Sequence, residues 1–315
     1  MRFALTEEQQ RFGDAVHALL AGADAPRVVR AWAAGDHAPG LALWRRLADL
    51  GVTGLAVPEA YDGVGAGAVE VVVAFEQLGR HAVPGPLIES LVALPALVSG
   101  EFAERWLHGI AAGKTLATLA LPPHVPYGLD ADVADPVLVV DDGTLRLASP
   151  GAARSSVDPA RRLFSVVEGE PLGAVDAGPA LDRGALACAA YLLGAGRALL
   201  DTTVGYAQQR RQFGRAIGSF QAIKHQLAGV LVALELARPL VFGAAVTGSA
   251  QDVSAAKVAA GDAAYRAARV ALQVHGAIGY TAEHDLSLWL TKVRALVSAW
   301  GTPRWHRTRV LEALC

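Results

Sequence analysis

Three arginines, Arg210, Arg211 and Arg215, fall within six positions, with Phe213 between them and Gln221 a little further on. A guanidinium meets phosphate oxygens with a planar two-pronged fork and keeps its charge when partly buried. A phenyl ring offers a flat heterocycle a stacking face, and a carboxamide both donates and accepts hydrogen bonds. Together these groups suit a nucleotide diphosphate, although a solvated basic loop between helices would carry the same residues. A second stretch, Gln273 to His284, holds Gly276, Ala277, Gly279 and Tyr280. Its glycines can end a helix through a left-handed turn. They also allow a backbone to approach a diphosphate closely, with Gln273 available to hydrogen-bond beside it.

Long helices position both stretches. Pro179–Gln209 reads as one helix, and Phe220–Val246 as the next. Along the second, Phe220, Ile223, Leu227, Val230, Leu231, Leu234 and Val241 recur at helical spacing, which predicts one buried face. Arg210–Gly218 joins the two. Ser254–His275 is alanine-rich on almost every side and so is predicted to be central. Ser254 is its expected N-cap, and Asp262 and Arg266 form an expected i,i+4 pair. Leu286–Val297 completes a four-helix bundle. Nearer the N-terminus, helices are predicted at Leu5–Leu20, Leu41–Leu50, Val69–Leu78, Leu87–Val98 and Phe102–Ala112. Thr6 signals the first start, and Gly51 and Gly79 mark stops. Between the helical parts the period changes. Leu116–Leu121, Val137–Val140, Leu145–Leu147 and Leu163–Val167 read as short strands among Pro, Gly and Asp. The expected organisation is mostly α, with a helical unit at 1–113, a small β-unit at 114–178 and a bundle at 179–315.

With 315 residues, 53% of them hydrophobic, the chain can bury a large core and is not disordered. A net charge of −2 without a basic run gives no reason to expect nucleic acid as a partner. Cys188 and Cys315 stand too far apart in the chain to suggest a disulfide framework or a metal pair, which fits a cytoplasmic protein. The first residues lack the apolar stretch of a signal peptide, and no charge-free run reaches the ~20 residues of a membrane span. Gly63, Gly65 and Ala68 imitate a dinucleotide-binding turn, but that motif needs flanking parallel strands, and prolines follow instead.

The string R-x-Q-F-G, then I-x-x-F-Q-x-x-x-H-x-L-A, resembles the signature of the acyl-CoA dehydrogenase family. Here Arg210, Gln212, Phe213, Gly214, Ile217, Phe220, Gln221, His225, Leu227 and Ala228 carry it. The run LWRRLADLGVTGLAVPEAYDGVGAG is similar to that family's N-terminal domain. The resemblance implies an N-terminal helical domain, a reduced middle β-domain and a C-terminal four-helix bundle. It also implies FAD as cofactor, with Arg210, Phe213 and Gln221 at the diphosphate and Gln273, Gly276, Ala277 and Gly279 toward the adenine. Ala277 replaces a glycine of the family's Q-x-x-G-G-x-G pattern.

Dehydrogenation of an acyl-CoA thioester needs a carboxylate within reach of the α-proton. The family's Y-E-G-T aligns with Ala299-Trp300-Gly301-Thr302, so Trp300 stands in place of the base, and indole accepts no proton. Thr302 is then the counterpart of a flavin-contacting threonine. The other position used by relatives falls at Gly184, with Asp182 two residues away as a substitute. The family's T-E-x-x-x-G-S-D segment, which helps hold the flavin ring, is missing: Ala117–Leu121 runs into Pro122-Pro123-His124-Val125-Pro126.

In the family, the Arg210-type corner and the Gln273-type turn reach a neighbouring subunit's flavin. The resemblance therefore implies an accessory subunit of a heteromeric α2β2 dehydrogenase of the actinobacterial kind, several of which shorten steroid side chains. Its partner would be a homologous acyl-CoA dehydrogenase subunit bearing the base, and its electron acceptor an electron-transfer flavoprotein. The alternatives are a self-sufficient homo-oligomer using Asp182, a flavoprotein of the same fold with other chemistry, and a flavin-free scaffold.

Overall fold

A computed structural model describes residues 4–314, so Cys315 lies outside the described residues. Helix α1 (Glu7–Ala21) starts at Thr6, whose hydroxyl accepts from Gln9 N while the Gln9 side chain accepts from Thr6 N, a reciprocal cap. Helices α2 (Ala25–Ala33), α3 (Ala38–Asp49), α4 (Ala68–Arg80), α5 (Leu94–Leu97) and α6 (Gly100–Ala111) complete the N-terminal part. Sequence periodicity did not reveal α2, whose nine residues are too few to show a repeat; it is held by burying Val28, Val29 and Trp32. The helix predicted over Leu87–Val98 is present over residues 87–97, with a π-helical turn, Glu89–Ala93, inside it running into α5. Residues 51–67 form a compact loop without strands. A side chain on Gly63 would overlap the Val57 carbonyl, so this glycine serves packing and not a nucleotide.

The middle part is one mixed sheet of β1 (Thr118–Ala120), β2 (Gly128–Leu129), β3 (Val137–Asp141), β4 (Thr144–Arg154) and β5 (Leu163–Ala174), in the order β1-β3-β4-β5-β2. Only the β1–β3 pairing is parallel. Strands β4 and β5 run several residues past the apolar segments that predicted them, because their distal halves are exposed and polar. The sheet is tied to helices by buried polar links. Lys292 Nζ pairs with Asp158 at 2.8 Å, both almost fully buried, and Trp32 Nε1 donates to Asp130 Oδ1 at 3.0 Å.

Burial pushes the Asp130 carboxyl up to about 7, and its second oxygen has no partner among the described residues. The unfolded carboxyl loses its proton near its ordinary value of 3.8. Between these two values the folded state therefore binds more protons, and this group's contribution to stability falls as pH rises. Asp130→Asn mimics the neutral acid and also tolerates the left-handed backbone there (φ 52). It is expected to match wild type at pH 4 and exceed it at pH 8, with the gap opening by up to about 1.4 kcal/mol per pH unit between the two values. Urea unfolding at both pH values checks this, and an equal loss at both contradicts it.

The C-terminal part contains α7 (Gly178–Gln209), α8 (Gln221–Thr247), α9 (Ala250–His275), α10 (Leu286–Leu296) and α11 (Pro303–Glu312). Helices α7 and α9 form the middle of the bundle, with α8 and α10 against them, and the N-terminal part packs on α7 mainly through α4. Three local expectations are corrected. The N-cap of α9 is Ser249, which accepts from Asp252 N at 3.1 Å; Ser254 is buried a turn further on and bonds His306. Asp262 pairs with Arg307 at 2.9 Å and not with Arg266, because the unforeseen α11 brings Arg307 to it. Gly79 does not stop α4, which runs on to Arg80.

Helices α7 and α8 are each long and apolar enough to cross a bilayer by composition, a length that charge-free runs understate. The apolar stretch of α7 is mostly buried among neighbouring helices, whereas that of α8 is only one-third buried.

Candidate functional site

Helix α7 ends where Arg210 N donates to Tyr206 O at 2.8 Å. The chain then forms a tight hairpin of β6 (Arg211–Gln212) and β7 (Arg215–Ala216). Its two turn residues, Phe213 (φ 52) and Gly214 (φ 77), both have positive φ, as such hairpins require. Glycine adopts this freely, but phenylalanine does so at a cost of order 1–3 kcal/mol. Phe213 projects outward, 90% exposed, with Phe220 edge-on at 6.2 Å and Arg215 over the Phe220 ring at 4.1 Å. Arg210 is exposed beside it. Gln221 opens α8 and lies 3.0 Å from His225.

At the end of α9, Gly276 adopts φ 64, ψ −138, a conformation essentially reserved for glycine, and leads into a 3-10 turn, Gly276–Tyr280. Gln273, Gly276 and Ala277 are exposed, while Gly279 is buried against Leu272 and His275. The two stretches meet through Tyr206, which stacks on His275 at 4.2 Å. Burial lowers the proton affinity of His275, and its Nδ1–H donates to Ala271 O at 2.8 Å. A groove of about 630 Å³ leads away from Gln273 and Gly276 and is lined further by Gln226, Tyr265, Arg266 and Arg269. Sequence reading missed these four. For the three on α9 the signal was a helical step that puts Tyr265, Arg266, Arg269 and Gln273 on one face; Gln226 lies on α8 and gave none.

The residues at the family's base positions lie elsewhere. Gly184 and Arg210 mark opposite ends of α7, roughly 40 Å apart at 1.5 Å per residue. At the Gly184 end the two base positions converge. A side chain on Gly184 would overlap the six-membered ring of Trp300. Trp300 is 1% exposed and has positive φ (58), with Gly301 (φ 95) behind it. The segment is firmly held. His306 Nε2–H donates to Trp300 O at 2.9 Å, and its Nδ1 accepts from the Ser254 hydroxyl at 3.1 Å. Burial lowers His306 to about 4, so it stays neutral and bridges both. The buried Lys257 ammonium donates to Leu296 O and Val297 O, each at 3.1 Å, closing the end of α10. Asp182 is clamped by both guanidinium nitrogens of Arg309, at 2.6 and 3.2 Å. Thr302 accepts from Trp305 N and caps α11.

The residues present fit one half of a flavin dinucleotide. Exposed guanidiniums, a projecting phenyl ring, an open glycine turn and a carboxamide suit its diphosphate and adenine. The Gly184 end does not fit the ring with its substrate, because indole fills the position where a carboxylate would stand.

Residues 6–114 match the acyl-CoA dehydrogenase N-terminal domain, and residues 173–315 match the acyl-CoA dehydrogenase C-terminal domain. Acyl-CoA dehydrogenase IpdE2 of Mycolicibacterium smegmatis is 33% identical over 98% of this chain and 99% of its own. Among solved structures, a steroid ACAD variant, Tcur3481–Tcur3483, superposes with a TM-score of 0.87 at 23% identity, covering 98% of each chain. The ChsE4–ChsE5 complex of Mycobacterium tuberculosis superposes at 0.81 and 24% identity, covering 100% of this chain and 99% of that one. The fold, the two matched domains and the full-length relative agree, and the chain belongs to the acyl-CoA dehydrogenase family.

Proposed function

We propose that this chain is the base-lacking subunit of a heteromeric, FAD-dependent acyl-CoA dehydrogenase. It grips the flavin's diphosphate and adenine, while a homologous partner provides the ring site and the proton acceptor. The flavin, when bound, accepts the β-hydrogen as hydride; this chain's contribution is binding. Arg210 supplies the charge-assisted fork, Phe213 packs on the nucleotide, and Gln221, Gln273, Gly276, Ala277 and Gly279 line the approach. Thr302 is not part of that grip.

One observation carries the reading. The phosphate corner and the sealed base position lie at opposite ends of α7, farther apart than a single dinucleotide reaches. A flavin held at Arg210 must place its ring in another chain. Two features support a partner: most of the grip is exposed, and the outer face of α8 presents Val232, Leu236, Leu240 and Val246 to solvent. The similar acyl-CoA dehydrogenase IpdE2 and the structurally similar steroid ACAD support an acyl-CoA thioester as substrate; a steroid side chain as the acyl group and electron-transfer flavoprotein as acceptor belong to the same proposal. The test expresses the chain alone and together with a homologous subunit bearing the carboxylate, then follows acyl-CoA-dependent flavin bleaching without oxygen. Activity is expected only from the pair; desaturation by the lone chain contradicts the proposal.

A further inference from the structure

The Gly184 end holds more than a missing carboxylate. Trp300 lies against the bare backbone of α7 at Gly184. Its indole N–H is turned to the fully buried carboxyl of Glu89, on the π-helical turn, and Trp300 Nε1 and Glu89 Oε2 make no direct hydrogen bond among the described residues. The space left beside Glu89 is about 20 Å³, room for one water, and is lined by Tyr191, Arg161, Lys292 and Leu296. A larger apolar cleft of about 610 Å³ does open near the start of α7, between Val71, Val92, Leu186 and Val253. Its lining also includes Asp182 and Arg183, next to Gly184 in the chain, but neither Gly184 nor Trp300, because the indole itself fills the space against Gly184.

From this geometry we infer that Trp300 is a plug, with Gly184 as its seat. It closes this chain's own reacting position to acyl thioesters, so the complex takes up one acyl group per pair of chains, in the partner. The inference deepens the proposed function and rests on it. The pairing is specific: the seat requires glycine, because any β-carbon there meets the ring, and the ring requires the seat. A lost base alone would leave a pocket that still binds substrate unproductively and withholds it from the flavin. A filled pocket avoids this. Glu89 does not take the place of the missing base: its side chain is buried, and the Trp300 ring, not Glu89, lies against Gly184.

The test uses Trp300→Gly, because glycine accepts φ 58 without strain and removes only the ring. Free indole is the first probe. The variant is expected to melt about 10 °C below wild type, to bind one indole per chain, and to recover much of that loss in millimolar indole, with wild type unaffected. Octanoyl-CoA is the second probe, counted on the flavin-loaded complex by anaerobic equilibrium dialysis. Wild type is expected to bind one per two chains and Trp300→Gly two. If Trp300→Gly does not assemble, Trp300→Leu is counted in its place, with the same rise expected. Two bound per two wild-type chains, or no rise in an assembled variant, overturns the plug. Those results leave the division of labour intact, because that reading fails separately, by activity of the chain alone.

Discussion

Arg210→Ala, in a complex with a base-bearing homologous subunit, is expected to weaken flavin retention about 10- to 100-fold. A hydrogen bond to a charged group contributes about 1.5–3 kcal/mol when its partner is desolvated, and Arg210 becomes desolvated only once the second chain closes over the exposed corner. Arg210→Lys keeps the charge but loses the planar fork and is expected to fall between the two. Phe213→Ala is expected to add to the loss, because the strained turn then has no ring to present. The check is the flavin dissociation constant of each complex, read from the fluorescence of released cofactor. Equal constants for wild type and Arg210→Ala return the corner to a solvated loop. The same substitution is expected to leave the thermal stability of the isolated chain unchanged.

Gly194→Ala is expected to be the most damaging small change in the fold, lowering stability by about 3 kcal/mol. A β-carbon at 194 would overlap Glu76 O and stand 2.7 Å from Arg80 N, both backbone atoms of α4. Backbone on a packed helix cannot move aside as a side-chain tip can, so the effect lies at the upper end of overpacking. The crossing is reciprocal: a side chain on Gly79 of α4 would overlap the Tyr191 carbonyl of α7. Gly205→Ala, further along α7, is the control. Nothing lies within 4 Å of its added carbon, and replacing a helix-interior glycine there should stabilise by about 0.5–1 kcal/mol. Opposite signs in thermal melts are the expected result; a gain at both positions would mean that helix propensity, and not the crossing, decides.

These glycines also show where sequence reading ran out. Gly79 looks like a helix stop because glycine often is one, yet it lies inside α4 where another backbone passes. Glycine's local meaning is legible in sequence; its tertiary neighbour is not. The long bundle helices were legible because they carry many turns of periodic apolar residues, and their observed ends lie close to those predicted, apart from the earlier start of α9. Short elements were not. Helix α2 is too brief to repeat, and α11 is mostly polar, so its pattern gave no signal. Missing α11 also misassigned Asp262, because the true partner, Arg307, sits on it.

The candidate site divides in the same way. The residue types at Arg210, Phe213, Gln273 and Gly276 suit a diphosphate but would equally make a solvated loop, and it is the family resemblance that favours the first. That Phe213 is held at positive φ, and that Arg266 and Arg269 extend the groove, are matters of three-dimensional placement. The absence of a carboxylate at Gly184 and Trp300 was readable as two separate facts. Only the fold makes them one, by setting the ring of the second against the bare backbone of the first.

The most direct measurement of the division of labour is the ratio of flavin to polypeptide. The account expects the chain purified alone to carry no flavin, and its complex with the base-bearing subunit to carry one flavin per two chains, a ratio lowered by Arg210→Ala in this chain. A lone chain purified with one flavin per polypeptide, unaffected by that substitution, would contradict it.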